Sequence, residues 1–276
     1  MDKNRRNFLT AASAVAATQL PGVSGAADAT YRDGRKAITK PEMYDLASKI
    51  GSGPFTCIRT PESNDGPFYY ESSPRRRDIT EGRKGLKLRL GIRIANATVP
   101  GNSCSPLAGA VVDVWHTDAD GLYSNVGGDL QTQATLGKTF MRGHQLTDAD
   151  GLVQFDTVVP GWELVTAPPP LNVVLRATHI HVKVFHESKI ATTQLYFPDE
   201  FLDQLYASVD PYQSHRQMTA PGAGRNYDRI RNTADQLFLA DQSRPMSIQR
   251  QGDSVIAEAT VGLVTMGTQG IAPRFR

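Results

Sequence analysis

The chain has 276 residues, of which 39% are hydrophobic and 21% charged; this is enough apolar content for a sizeable core, and it excludes a disordered chain, a collagen or a disulfide-stapled mini-domain. The formal net charge of +2 comes from the first 26 residues, where Lys3, Arg5 and Arg6 face only Asp2; beyond them 27 basic residues balance 27 acidic ones. A balanced chain has no global electrostatic drive toward nucleic acid or an anionic membrane, so small-molecule chemistry is the expected class.

Asn4-Arg5-Arg6-Asn7-Phe8-Leu9 precede a mildly apolar, Ala-rich run to Leu20 and the small residues Ser24-Gly25-Ala26. The pattern resembles a twin-arginine export signal over residues 1–26, the alternative being an ordinary amphipathic first helix. The apolar run is well short of the roughly 20 residues a spanning helix needs, so no membrane association is expected after signal removal. The mature protein is expected to be soluble, in the periplasm or secreted. This export route carries folded proteins, often with a cofactor already inserted, which hints at a metal or other prosthetic group. Cys57 and Cys104 are the two cysteines of the chain, and an oxidising compartment favours a bridge between them, contributing about 4 kcal/mol on the chain-entropy model. Two buried free thiols are the alternative. A cysteine metal site is disfavoured because neither residue has a Cys or His neighbour at ligand spacing.

An N-terminal arm over 27–54 contains one short helical candidate, Pro41–Ser48. Leu86, Leu88, Leu90, Ile92 and Ile94 then alternate with Lys87, Arg89, Gly91 and Arg93, the signature of a strand with one buried and one wet face. Further strands are expected at Val111–His116, Leu152–Val158, Ile180–Phe185 and Thr192–Phe197. Gln251-Gly252-Asp253 marks a hairpin between Met246–Gln249 and Val255–Val261. The remaining helical candidates are Phe201–Ala207 and Tyr227–Phe238. Short strands separated by Gly, Pro and Asp argue for a mainly β protein, an antiparallel β-sandwich with short peripheral helices. Thr-Asp-Ala-Asp-Gly-Leu occurs twice, at Thr117–Leu122 and Thr147–Leu152. It reads as turn chemistry, because it lacks the third acidic ligand and distal Glu of a calcium loop.

In Arg176-Ala177-Thr178-His179-Ile180-His181-Val182-Lys183-Val184, residues two apart share a strand face. His179 and His181 therefore project together while Ile180, Val182 and Val184 face the core, which makes a two-imidazole clip. Around it, in order, stand Thr60–Tyr70, Leu107–His116, Gly121-Leu122-Tyr123-Ser124, Met141–Gln145, Pro160-Gly161-Trp162 and Thr192-Thr193-Gln194. With these blocks residues 55–200 resemble the intradiol ring-cleavage dioxygenases, which open catechols between their hydroxyls with non-haem Fe(III); residues 201–276 form a C-terminal extension with helices and a hairpin.

The resemblance implies Tyr123, His179 and His181 as iron ligands, Arg176 as a stabiliser of charge on the substrate ring, and Gln194 as a pocket residue. Tyr69 and Tyr70 are candidates for the pocket wall or for core packing. The implied partners are an aromatic diol and dioxygen, and self-association is left open because the long N-terminal helical segment of catechol-type relatives is not seen.

The sequence departs from the family at the second tyrosinate. Glu163 follows Gly161-Trp162, and the stretch Leu164–Leu175 before Arg176 is enlarged and contains no tyrosine. Glu163 could replace the tyrosinate as a detachable ligand and base, could face solvent and leave water in the fourth position, or could mark a lost or altered activity. With His179 and His181 it would also make the two-histidine, one-carboxylate set of ferrous oxygenases, so the ferrous form stays open. An oxidase or peroxidase without ring cleavage and a non-catalytic aromatic- or metal-binding sandwich are the alternative functions. His116 and His144 are read as hydrogen-bonding residues, and Arg75-Arg76-Arg77 as a solvated face or a guide for an acidic substrate.

Overall fold

Leu88, Leu90, Ile92 and Ile94 lie along one side of a ten-residue strand and are all but inaccessible to solvent. They meet Val112, Val114, Ile180, Val182 and Val184 in one continuous core, so two sheets share a single apolar interior. A computed structural model of the chain describes residues 60–97, 105–167, 173–220 and 225–264, all of them within the compact unit Ile38–Arg276. The expected signal, the arm with its Pro41–Ser48 helix and the Cys57–Cys104 bridge lie outside the described residues.

In chain order the strands are β1 (Lys87–Asn96), β2 (Ser105–Pro106), β3 (Val111–Trp115), β4 (Arg142–Leu146), β5 (Leu152–Val158), β6 (Leu164–Thr166) and β7 (Val173–Leu175), then β8 (His179–His186), β9 (Lys189–Tyr196), β10 (Gln217–Thr219), β11 (Asn226–Asp228), β12 (Ser247–Gln251) and β13 (Ser254–Leu263). Helices α1 (Asp199–Ser208) and α2 (Gln236–Ala240) flank them. One sheet runs β12-β13-β1-β2 with β5 also on β1, and the other runs β4-β3-β8-β9. β6–β7 and β10–β11 are separate two-stranded pairs. The fold is mainly β, as expected. Among the described strands one pairing is parallel, β1 with β13 from Lys87 opposite Ser254 to Asn96 opposite Leu263.

Three expectations are corrected. β1 does not keep a wet face: Gly91 and Arg93 are buried, because β1 is central and the Arg93 guanidinium lies 4.0 Å from Glu258 on β13. Tyr227–Phe238 is not one helix. β11 opens it, a 3-10 turn follows at Asn232–Ala234, and α2 starts only at Gln236, where the Asp235 side chain caps Leu237 and Phe238. The arginine run is not simply solvated either. Arg76 pairs with Glu81 and donates to the Thr139 and Arg142 carbonyls, while buried Arg77 pairs with Asp156; both tie the incoming segment to the sheets.

The two copies of the hexapeptide fold alike. Asp118 Oδ1 accepts from the Asp120 and Leu122 amides, Asp148 Oδ1 from the Asp150 and Leu152 amides, and Gly121 and Gly151 take positive φ of 79° and 71°.

His116, at the end of β3, is fully buried as the neutral tautomer. Its Nδ1–H donates to the Thr117 carbonyl at 2.6 Å, and Nε2 accepts from Thr157 Oγ1 at 2.9 Å. Burial lowers its pKa to about 4. The folded state therefore resists protonation that the unfolded chain accepts near pH 6.5, so the contribution is present above that pH and is lost as pH falls toward 4. Between pH 7.5 and 4.5 urea unfolding of the wild type should lose about 2 to 3 kcal/mol more than that of His116→Gln; equal losses would show that His116 is not the responsible group.

Candidate metal centre and active site

The site is built on β8. With Ile180, Val182 and Val184 locked in the core, His179 and His181 are presented on the opposite side of the strand, and both are buried. The His179 Nδ1–H donates to the Ala177 carbonyl at 2.6 Å, which leaves Nε2 as a bare lone pair. Trp115, paired with His181 across β3 and β8, stacks its ring on that imidazole at 4.7 Å and 5°. The two Nε2 atoms face each other at 3.0 Å.

Burial, with Arg176 next to it, lowers the pKa of His179, and burial, His179 and Arg176 lower that of His181, so both rings are neutral. The Nδ1 of His181 is buried without a hydrogen-bond partner. Either Nε2 of His181 carries the proton and Nδ1 is an orphaned acceptor, or Nδ1 carries it and two lone pairs oppose each other. A cation removes the conflict: two imidazole nitrogens at roughly 2.1 Å from one ion and at right angles are about 3 Å apart. The donor set therefore fits a metal ion.

Tyr123 reaches the same place from a loop between β3 and β4. Gln131 grips its backbone on both sides, accepting from the Tyr123 amide and donating to its carbonyl, each at 3.0 Å. Its ring packs 4.8 Å from Phe68 and 6.3 Å from His181. Glu163 follows Trp162, whose indole donates to the His215 carbonyl at 2.7 Å and whose amide donates to the Tyr206 hydroxyl at 2.7 Å. Glu163 is buried and does not face solvent; it accepts a hydrogen bond from the Tyr123 hydroxyl. Burial raises the pKa of both groups, and the carboxylate raises the phenol further. Among the described residues no three His, Cys, Asp or Glu side chains cluster as a metal site, so the two-histidine, one-carboxylate set is not assembled; the oxygen groups nearest the imidazoles are the Tyr123 hydroxyl and the Glu163 carboxyl, which bond to each other.

Arg176 leads into β8. Its Nε donates to Asp235 at 2.8 Å and its Nη2 to Gln194 Oε1 at 2.5 Å and to the Tyr196 hydroxyl at 2.9 Å. Burial opposes the charge, but Tyr196, Asp235 and Glu163 outweigh it and keep Arg176 protonated. Asp235 also accepts from the backbone amides of Ala177, Leu237 and Phe238. Burial alone would raise its pKa; Arg176 and these donors hold it below the usual carboxylate range.

Tyr123, Glu163, Arg176 and His181 open onto one cavity of about 740 Å³. Gln194 does not line it; buried on β9 opposite His181, it orients Arg176. Neither Tyr69 nor Tyr70 lines it. Tyr69 packs on Trp115 at 4.8 Å and donates to Asp113 at 3.3 Å, and Tyr70 is exposed; the wall position belongs to Phe68. His144 donates through Nδ1 to the Ser73 carbonyl at 2.8 Å, away from the imidazole pair. The Asn64–Phe68 loop is anchored through Asp65, which pairs with Lys183 at 2.7 Å and accepts from Thr192 at 2.6 Å; this brings Gly66 against His181. Asp235 and Gln131 carry no sequence signal, since an isolated Asp before a short helix and a loop Gln are commonplace.

The sequence profile of a family described as Dioxygenase matches residues 64–220. The chain belongs to the intradiol ring-cleavage dioxygenases, a family of non-haem Fe(III) enzymes. It is 32% identical over 159 residues to a chlorocatechol 1,2-dioxygenase of Rhodococcus opacus, covering 52% of this chain and 59% of that one. A Pseudomonas putida chlorocatechol 1,2-dioxygenase is 30% identical over 146 residues, 48% of this chain and 51% of the relative. The chain thus spans less than two thirds of the length of these curated relatives. An intradiol ring-cleavage dioxygenase of Tetranychus urticae has the same fold, with a TM-score of 0.60 at 23% identity, covering 78% of this chain and 98% of that one. The dioxygenase domain of a carbohydrate-binding fusion from Streptomyces sp. SirexAA-E gives 0.50 at 26% identity, covering 76% and 100%.

Replacing Asp235 with Asn leaves the Arg176 charge buried with one fewer counter-charge. Asp235→Asn should cost about 3 kcal/mol in urea unfolding at pH 7, whereas a change under about 0.5 kcal/mol would place the pair among surface-like interactions.

Proposed function

We propose that the protein is an intradiol dioxygenase that opens a catechol-type aromatic between its two hydroxyls to a muconate-type diacid, with non-haem iron held by His179, His181 and Tyr123. The reading is carried by the two neutral imidazole Nε2 atoms 3.0 Å apart beside a cavity that also presents a phenol, a carboxyl and a guanidinium. Ferric iron, when bound, supplies the Lewis acidity and redox chemistry that make a catecholate reactive toward dioxygen. The chain supplies the rest. Glu163 accepts a hydroxyl proton from the substrate at the carboxyl oxygen that otherwise meets the Tyr123 hydroxyl. Arg176, kept charged by Asp235, faces negative charge on the ring oxygens. Trp115 and the Ala177 carbonyl hold the imidazoles in orientation, and the apolar lining excludes water. The Asn4–Leu9 and Ser24–Ala26 pattern supports export by the twin-arginine route as part of the same proposal, and N-terminal sequencing of the mature protein tests it.

Iron-loaded protein should show a visible tyrosinate charge-transfer band that shifts on anaerobic addition of catechol and is absent in Tyr123→Phe. Admitting dioxygen should give a product that has gained both oxygen atoms; a quinone without added oxygen would instead favour the oxidase alternative. Metal analysis should find iron lost from His181→Ala but retained in Glu163→Gln. The latter variant should turn over about a hundredfold more slowly, the usual worth of a positioned proton acceptor.

A further inference from the structure

We propose that the cavity selects catechols carrying an uncharged, apolar substituent of several carbons, an alkyl or aryl group, and rejects those carrying a carboxylate. This rests on the ring-opening reading and names the substrate class of that same site. A cavity of about 740 Å³ is in the range that encloses ligands much larger than one ring, so a bare catechol leaves most of it unfilled.

The space beyond the imidazoles is walled by Phe68, Leu130, Val165, Val174, Leu175 and Leu237. Much of that wall comes from two elements. The β6–β7 pair, folded from the enlarged stretch before Arg176, contributes Val165, Val174 and Leu175. The 3-10 turn and α2 lie beyond residue 220, where the family match ends, and contribute Ala234 to Leu237.

Charge points the same way. Among the described lining residues the formal cation is Arg176, and it faces two acids, Asp235 and Glu163. Its Nε and Nη2 are already committed to Asp235, Gln194 and Tyr196. With Arg176 held by these partners and facing the ring oxygens, a carboxylate on the substituent would be desolvated without a counter-ion of its own, while an alkyl or aryl group would cover apolar surface.

The test uses the iron-loaded full chain with 4-tert-butylcatechol, catechol and 3,4-dihydroxybenzoate, measuring anaerobic affinity by calorimetry and turnover separately. The alkyl compound should bind about tenfold more tightly than catechol, and the carboxylate at least about tenfold more weakly. Leu237→Arg and Val174→Arg, both at partly exposed wall positions, should each shift the ratio toward the carboxylate by about tenfold or more. Similar affinities for all three compounds, or an unchanged ratio in both variants, would overturn the selectivity while leaving ring opening intact. The expected order of binding without ring opening would sink the dioxygenase reading and uphold the selectivity. Absence of binding by all three would remove both.

Discussion

Two neutral, buried imidazoles held nitrogen to nitrogen at 3.0 Å are the constraint around which the rest is arranged. Left to itself the pair is unfavourable, since in one tautomer lone pairs oppose each other and in the other an acceptor is buried unmet. The fold enforces it because the alternate residues of β8 are core residues: Ile180, Val182 and Val184 cannot leave the interior without dragging the sandwich apart. Trp115 stacked on His181 and the Ala177 carbonyl on His179 then remove the freedom of the rings. Arg176 helps by a second route, since its charge disfavours protonation of either imidazole. Asp235 makes a charge tolerable there in the first place.

The phenol and the carboxyl are brought to the imidazoles by a close passage of backbones. A Cβ on Gly161 would lie 2.5 Å from the Ala119 carbonyl oxygen and 2.7 Å from the Gly121 amide, and a Cβ on Gly121 would lie 2.2 Å from the Trp162 carbonyl oxygen. Any side chain at either position would separate the loop that ends in Tyr123 from the one that ends in Glu163. The two glycines thus act on the chemistry through distance, and Gln131 and Trp162 fix the two loops once they have met.

What was legible in the sequence follows from which physical signals are local. Strand patterning exposes β1, β3, β5, β8 and β9, the Gln251-Gly252-Asp253 turn exposes β12 and β13, and the His-X-His spacing on β8 puts both imidazoles on one face. The repeated Asp-Ala-Asp-Gly turn was legible because its hydrogen bonds close within a few residues. β4, β6 and β7 were not, being short or rich in polar residues, and stabilised by partners far along the chain. Arg142 on β4, for example, is buried because Ser124 accepts from its guanidinium through both side chain and carbonyl. For Tyr69 the sequence leaves pocket wall and core packing equally open, because aromatic identity carries no direction; Asp113 and Trp115, more than 40 positions away, decide for packing. Asp235 lies 59 positions from Arg176 and could emerge only from the fold.

Glu163 stands where the family resemblance leads one to expect a tyrosine, and the local physics accommodates a carboxyl there. A buried carboxyl needs a donor and a nearby cation, and Tyr123 and Arg176 supply them without any new residue. Tyr123 and Glu163 are hydrogen-bond partners, and burial makes each reluctant to carry charge alone. A cation held by the Tyr123 oxygen and the two imidazoles would take the place of the phenolic proton, so occupancy of the centre is coupled to where the proton resides.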